Sequence, residues 1–149
     1  MRTAFCFDLD GTVTKDEILP ILAKQVDLYD EIQALTQATI NGFIPFDRSF
    51  KLRTRLLSDI PISRVRESIA GVTLFERTSG FIKSHSDSCF LITGNLDVWI
   101  SELVKKLGVY AYSSRALLDD KVDHLKGCYI RYQLQVHISN QIHACIRFS

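Results

Sequence analysis

Neither sign of charge dominates this 149-residue chain: 18 lysines and arginines stand against 17 aspartates and glutamates, a formal net charge of +1. That leaves no basic surplus for a polyanion, so nucleic acid is not expected as a partner. Long apolar runs are missing too. None approaches the roughly 18 residues of a membrane span, and the apolar start Ala4–Phe7 is broken by Asp8 and far too short for a signal peptide. No membrane partner is expected, and a cytoplasmic location follows by default. The four cysteines, Cys6, Cys89, Cys128 and Cys145, show no CxxC spacing. A zinc site built from them and His124, His137 or His143 would lack the short ligand spacings such sites use, and Cys6 and Cys89 read as core residues inside apolar runs. No internal repeat or low-complexity segment is apparent. With 46% hydrophobic and 23% charged residues, the composition is that of an ordinary globular domain. The length suits one domain with a sizeable core, or a core with a small insertion; two full domains would be cramped.

The most informative segment is Ala4–Thr14, Ala-Phe-Cys-Phe-Asp-Leu-Asp-Gly-Thr-Val-Thr, where a buried-strand run ends in two carboxylates one residue apart. Side chains alternate along a strand, so Asp8 and Asp10 emerge on the same side. Their mutual repulsion is tolerable only beside a cation or with a shared proton. Gly11 lets the backbone turn away. Two readings fit: a ligand site at the mouth of an α/β sheet, or a strand ending in an Asp-Gly turn, which could belong to a hairpin.

The pattern then turns helical. Asp16 can cap a helix with Ile18, Ile21, Leu22 and Val26 on its apolar face; a second is expected from about Tyr29 to Ile40, stopped by Asn41-Gly42; a third over Phe46–Leu57. Asp59-Ile-Pro-Ile supplies a cap and a starting proline for a fourth, through Val65 and Ile69 to Gly71. Thr73-Leu-Phe-Glu76 has the form of a capping box and predicts a helix towards Lys83. Ser88–Thr93 follows as a short buried strand, then a Thr93-Gly94-Asn95 turn. Asn95 is placed to cap a helix bearing Val98, Trp99, Leu103 and Leu107 and ending at Gly108. Such a turn offers a hydroxyl and backbone N–H groups to an anion at a helix's positive end. Val109–Ser113 is a third strand, and Leu117–His124 a small hairpin.

The Asp-Leu-Asp-Gly-Thr-Val-Thr segment resembles the signature of the haloacid dehalogenase-like phosphohydrolases, and Thr93-Gly94 resembles that family's second motif. The resemblance implies an α/β fold: a Rossmann-like parallel sheet with a small helical cap inserted after the first strand. The core would be 1–14 and 73–127, the cap 15–72, and the atypical tail 128–149 a probable β-hairpin. It further implies that Asp8 attacks phosphorus to form an aspartyl-phosphate and that Asp10 serves as acid and base. Thr93 and Gly94 would hold the phosphoryl group, and Mg²⁺ would be bound by Asp8 and the Asp10 backbone carbonyl. The substrate would be a small phosphorylated metabolite.

Residues 4–127 look most like the phosphoserine phosphatase branch. Glu17 follows Asp8 by nine residues and would face a substrate amino group; Arg53, in Phe46-Asp-Arg-Ser-Phe-Lys-Leu-Arg53, would pair with a carboxylate. The branch usually has Ser in place of Gly11 and Ser-Gly-Gly in place of Thr93-Gly94-Asn95, which bears on the substrate more than on phosphomonoester chemistry. Two expected elements are wanting. No Gly-Asp-x-x-x-Asp motif follows Asp123, and Lys126 is the only candidate for the family's lysine. Instead Ile130, Tyr132, Leu134, Val136 and Ile138 alternate with polar residues, Ser139-Asn140-Gln141 intervenes, and alternation resumes through Phe148, reading as a hairpin without an acidic residue. Such an ending suits a truncated or frameshifted product, an inactive relative or a fragment. The hairpin is expected to cover the edge of the first strand, which would otherwise be an exposed apolar template for aggregation. The function implied is an incomplete Mg²⁺-dependent phosphomonoesterase, with a non-catalytic phosphate- or Mg²⁺-binding protein as the alternative.

Overall fold

Apolar strands with helical segments between them pair in parallel only if each crossover carries the chain back over the sheet, and this is what the computed structural model shows. It describes residues 2–119, 123–130 and 144–148. Strand β1 (Arg2–Phe7) is followed by helices α1 (Ile18–Lys24), α2 (Tyr29–Ile40), α3 (Phe46–Leu56), α4 (Ile62–Ala70) and α5 (Glu76–Ser84) before strand β2 (Cys89–Leu96). Helix α6 (Asp97–Leu107) leads to β3 (Tyr110–Leu118), and β4 (Leu125–Tyr129) and β5 (Ala144–Phe148) complete the described elements.

The strands form one sheet in the order β4-β3-β2-β1-β5. Phe5 lies opposite Cys89 and Phe7 opposite Leu91 in the parallel β1/β2 pair, and Phe90 lies opposite Tyr110 in the parallel β2/β3 pair. The expected hairpin after the third strand is the antiparallel β3/β4 pair, with Arg115 opposite Tyr129; the third strand runs on past Ser113 to Leu118. Ala144–Phe148 pairs antiparallel with β1, Ala4 opposite Ile146, so the expected apolar edge is occupied. The companion strand expected over 130–138 lies almost wholly outside the described residues.

Helix α4 buries Ile62, Val65 and Ile69, and α6 buries Trp99, Ile100, Leu103 and Leu107, each a single helical stripe. The two helices pack on each other, and their stripes merge with Leu9, Val13, Ile18, Leu22 and Leu91 in one core. Gly108 adopts φ +69° and ends α6 in the left-handed conformation that glycine supplies without strain. Among the described residues no helix is long and apolar enough to cross a membrane.

The helix starts differ from expectation. Asp16 does not cap α1; the Ile18 N–H is taken by the Asp10 carboxylate, eight residues back. Asp59 does not cap α4: the Asp123 carboxylate accepts from the Ser63 N–H, and the Asp123 carbonyl from the Ile62 N–H. The Thr73 capping box does not form. Phe75 precedes α5 without a side-chain cap, and the 73–75 backbone bonds instead to Val13 and Lys15.

Candidate active site

The two aspartates owe their placement to Leu9. Its side chain is fully buried, and its carbonyl accepts from the Thr12, Val13 and Thr14 N–H groups (3.3, 3.0 and 3.0 Å) and from Thr14 Oγ1 (3.1 Å). Gly11, at φ +72°, makes so tight a turn possible. With Leu9 pinned inwards, its neighbours Asp8 and Asp10 both border the same cavity at the end of β1. Asp8 Oδ1 accepts from the Leu9 N–H at 2.8 Å. Both Asp10 oxygens are engaged: Oδ1 by the Ile18 N–H (2.9 Å) and Oδ2 by Asn95 Nδ2 (2.7 Å).

Asn95 is the correction with most chemical content. Strand β2 does not stop at Thr93 but continues to Leu96, and Asn95 caps no helix. The β2/β3 register shifts between Ile92 and Leu96, and Thr93, Gly94 and Asn95 all border the cavity. Thr93 and Asn95 are both 2% exposed; Thr93 Oγ1 accepts from Asn95 Nδ2 (3.0 Å) and from the Asn95 N–H (3.2 Å). Gly94 sits beneath the Phe46 ring: a Cβ there would lie 2.8 Å from the ring's tip.

The cavity, about 200 Å³, is lined by Asp8, Asp10, Glu17, Arg53, Thr93 and Gly94, together with Asn95, Thr36, Leu19, Pro20, Phe46 and Phe50. Asp8, Asp10, Glu17, Arg53, Thr93 and Gly94, the catalytic, phosphate- and substrate-binding candidates of the sequence, therefore border one space. Arg53 is 6% exposed; its Nη1 donates to Thr36 Oγ1 at 3.0 Å, and Thr36 Oγ1 donates in turn to the Ile32 carbonyl at 2.8 Å. Its Nε is buried without a hydrogen-bond partner among the described residues, and the guanidinium lies 5.9 Å from the Phe50 ring centre. Thr36 and Phe50 were not foreseen; helical spacing within α2 and α3 carries no signal of which cavity a side chain will meet.

Lys126 does not join this group. It lies exposed on β4, at the far edge of the sheet from β1, and not in a helix. The lining thus carries three carboxylates and a single guanidinium.

Burial pushes the Asp10 carboxyl up to about 6 against the pull of its hydrogen bonds from Ile18 and Asn95, and the charges of Asp8 and Glu17 push the same way. Burial also raises Asp8, offset by the Leu9 N–H. Arg53 is lowered by burial, against the support of Glu17 and Asp10. Among the described residues no three His, Cys, Asp or Glu side chains are grouped to hold a metal ion. The resemblance would have the Asp8 carboxylate and the Asp10 backbone carbonyl hold Mg²⁺, and both are hard oxygens of the kind that ion takes; each Asp10 carboxylate oxygen accepts an N–H.

No family model matches the chain. It is 27% identical over 118 residues to a phosphoserine phosphatase of Methanocaldococcus jannaschii, covering 76% of this chain and 56% of the relative. It is 25% identical to that of Archaeoglobus fulgidus (76% and 34%) and 24% to that of Lactococcus lactis (80% and 56%). The chain thus spans about half the length, or less, of these relatives. Among solved structures, a phospho-aspartyl intermediate analogue of phosphoserine phosphatase superimposes with a TM-score of 0.72 at 25% identity, covering 87% of this chain and 63% of that one. A substrate-bound phosphoserine phosphatase complex gives 0.70 at 24% identity, with 85% and 63% covered, a likeness of fold.

Proposed function

We propose that this chain, which belongs to the haloacid dehalogenase-like hydrolases on their phosphoserine phosphatase branch, is a phosphomonoesterase for a small phosphate ester bearing both an amino and a carboxylate group. The observation that carries the reading is the meeting of Asp8, Asp10, Glu17, Arg53, Thr93 and Gly94 around one cavity. Residues 15–72 act as the helical cap, bringing Glu17 and Arg53 over the sheet end.

An Asp8 oxygen attacks phosphorus; a P–O bond to Asp8 forms as the bond to the ester oxygen breaks, and Asp10 gives its proton to that leaving oxygen. In the second step Asp10 takes a proton from water as the water oxygen attacks phosphorus, and the Asp8–phosphate bond breaks to release inorganic phosphate. A carboxyl raised to about 6 is suited to both duties near neutral pH. Thr93 and the Gly94 N–H hold the phosphoryl oxygens. Arg53, already braced by Thr36, offers its unpartnered Nε to the substrate carboxylate, and Glu17 faces the amino group. Asp8 and the Asp10 carbonyl would hold Mg²⁺, whose charge would offset a lining that is net negative.

Arg53→Lys separates substrate recognition from chemistry. It should raise KM for O-phosphoserine at least tenfold while leaving KM for p-nitrophenyl phosphate, which has no carboxylate, within about threefold. Equal effects on both would remove Arg53 from recognition. The second reading, a non-catalytic phosphate- or Mg²⁺-binding protein, is favoured by one observation: among the described residues neither a lysine nor a further carboxylate joins Asp8 at the cavity beyond Asp10 and Glu17.

A further inference from the structure

Asn95 is 2% exposed and its Oδ1 is buried without a hydrogen-bond partner among the described residues. An unpaired buried acceptor costs about 1–3 kcal/mol, so the side chain is held here by what its amide nitrogen does. That nitrogen faces two oxygens, Asp10 Oδ2 at 2.7 Å and Thr93 Oγ1 at 3.0 Å. Turning the amide over would set its oxygen against the ionised Asp10 carboxylate, which selects this orientation. The consequence falls on Thr93. A hydroxyl has one hydrogen to give and two lone pairs to receive. Here both lone pairs are taken by a single residue, one by the Asn95 side chain and one by its backbone N–H at 3.2 Å. Only the hydrogen is left, and no acceptor for it is seen among the described residues. Thr93 lines the cavity, where a bound phosphate would supply the missing acceptor.

We propose that Asn95 is a positioning residue of this site: by filling both lone pairs of Thr93 it makes that hydroxyl an obligate donor to a phosphoryl oxygen, and by the same amide group it ties the hydroxyl to Asp10. This rests on the phosphate-site reading above. Asn95 touches no reacting atom in this scheme, and its backbone N–H stays in any variant; its amide bears on phosphate affinity through Thr93, so removing the amide should lower that affinity only while the Thr93 hydroxyl is present.

The test is a double-mutant cycle read as affinity for inorganic phosphate, measured by calorimetry on the full chain with Mg²⁺ present. Asn95→Leu, near in size and uncharged, is combined with Thr93→Val, which keeps the branched shape and removes the hydroxyl. Each single variant should lose about tenfold in affinity, 1.4 kcal/mol, and the double variant should also lose about tenfold rather than a hundredfold. A purely structural role for Asn95 would give additive losses, and additivity would overturn the inference while leaving the phosphate site standing. No phosphate binding by the unsubstituted chain would overturn both. If Asn95→Leu does not fold, Asn95→Ser takes its place in the cycle with the same expected and contrary results.

Discussion

Burying the Asp10 carboxyl destabilises the folded chain wherever that group is ionised, because its value is raised from 3.8 to about 6 chiefly by loss of solvent. Below about pH 3 the group is protonated both folded and unfolded, and the cost is absent. Between these two values the unfolded chain releases its proton while the folded chain keeps it, so stability falls as pH rises. The loss is complete somewhat above pH 6 and amounts to roughly 3 kcal/mol at about 1.36 kcal/mol per pH unit. Asp8 shifts the same way and is unaffected by substitution at position 10 to first order. Urea unfolding of the chain and of Asp10→Asn in metal-free buffer isolates the Asp10 share. The stability advantage of Asp10→Asn should grow by about 3 kcal/mol from pH 3 to pH 7; parallel pH profiles would show that Asp10 is solvated.

At the scale of the element, Gly108 closes α6 at φ +69°, and a Cβ there would meet no neighbouring atom. Gly108→Ala should therefore cost only the backbone strain, about 1 kcal/mol, seen as a lower urea midpoint with an unchanged slope. A change in slope, or no loss, would contradict the capping role. This helix end was legible in the sequence because every part of it is local: the periodic run, Lys105 and Lys106 in the last turn, and the glycine. Helix α2 was legible for the same reason, Asn41-Gly42 standing just past its end. The helix starts were not. Asp10 serves α1 from across the Gly11 turn, eight residues back, and Asp123 serves α4 from sixty residues on, so nearby Asp16 and Asp59 gave a false local signal. The candidate site divides likewise: spacing marks Asp8 and Asp10 as a pair, whereas Thr93 and Gly94 stand out only through their resemblance to the family's second motif. Asn95 passed for a cap because its partner lies 85 residues away.

For the whole molecule the metal is the point of tension, since the chain offers Mg²⁺ the Asp8 carboxylate and the Asp10 carbonyl but no grouped set of three ligating side chains among the described residues. Mg²⁺ alone should bind no better than millimolar, roughly 4 kcal/mol or less, and more tightly once phosphate adds oxygen ligands. Micromolar Mg²⁺ binding in calorimetry without phosphate would reveal a ligand outside this account, with Asp119, Asp120 and Asp123 the first to test by substitution. The central claim is that Asp8 attacks phosphorus. Its most direct test is the initial rate of p-nitrophenyl phosphate hydrolysis, with Mg²⁺, by the purified chain and by Asp8→Asn, which keeps the shape and removes the nucleophile. A measurable rate for the chain that falls at least a hundredfold, about 2.7 kcal/mol of barrier, in Asp8→Asn is the predicted result. Equal rates in the two proteins would contradict it and leave a phosphate-binding relative without catalysis.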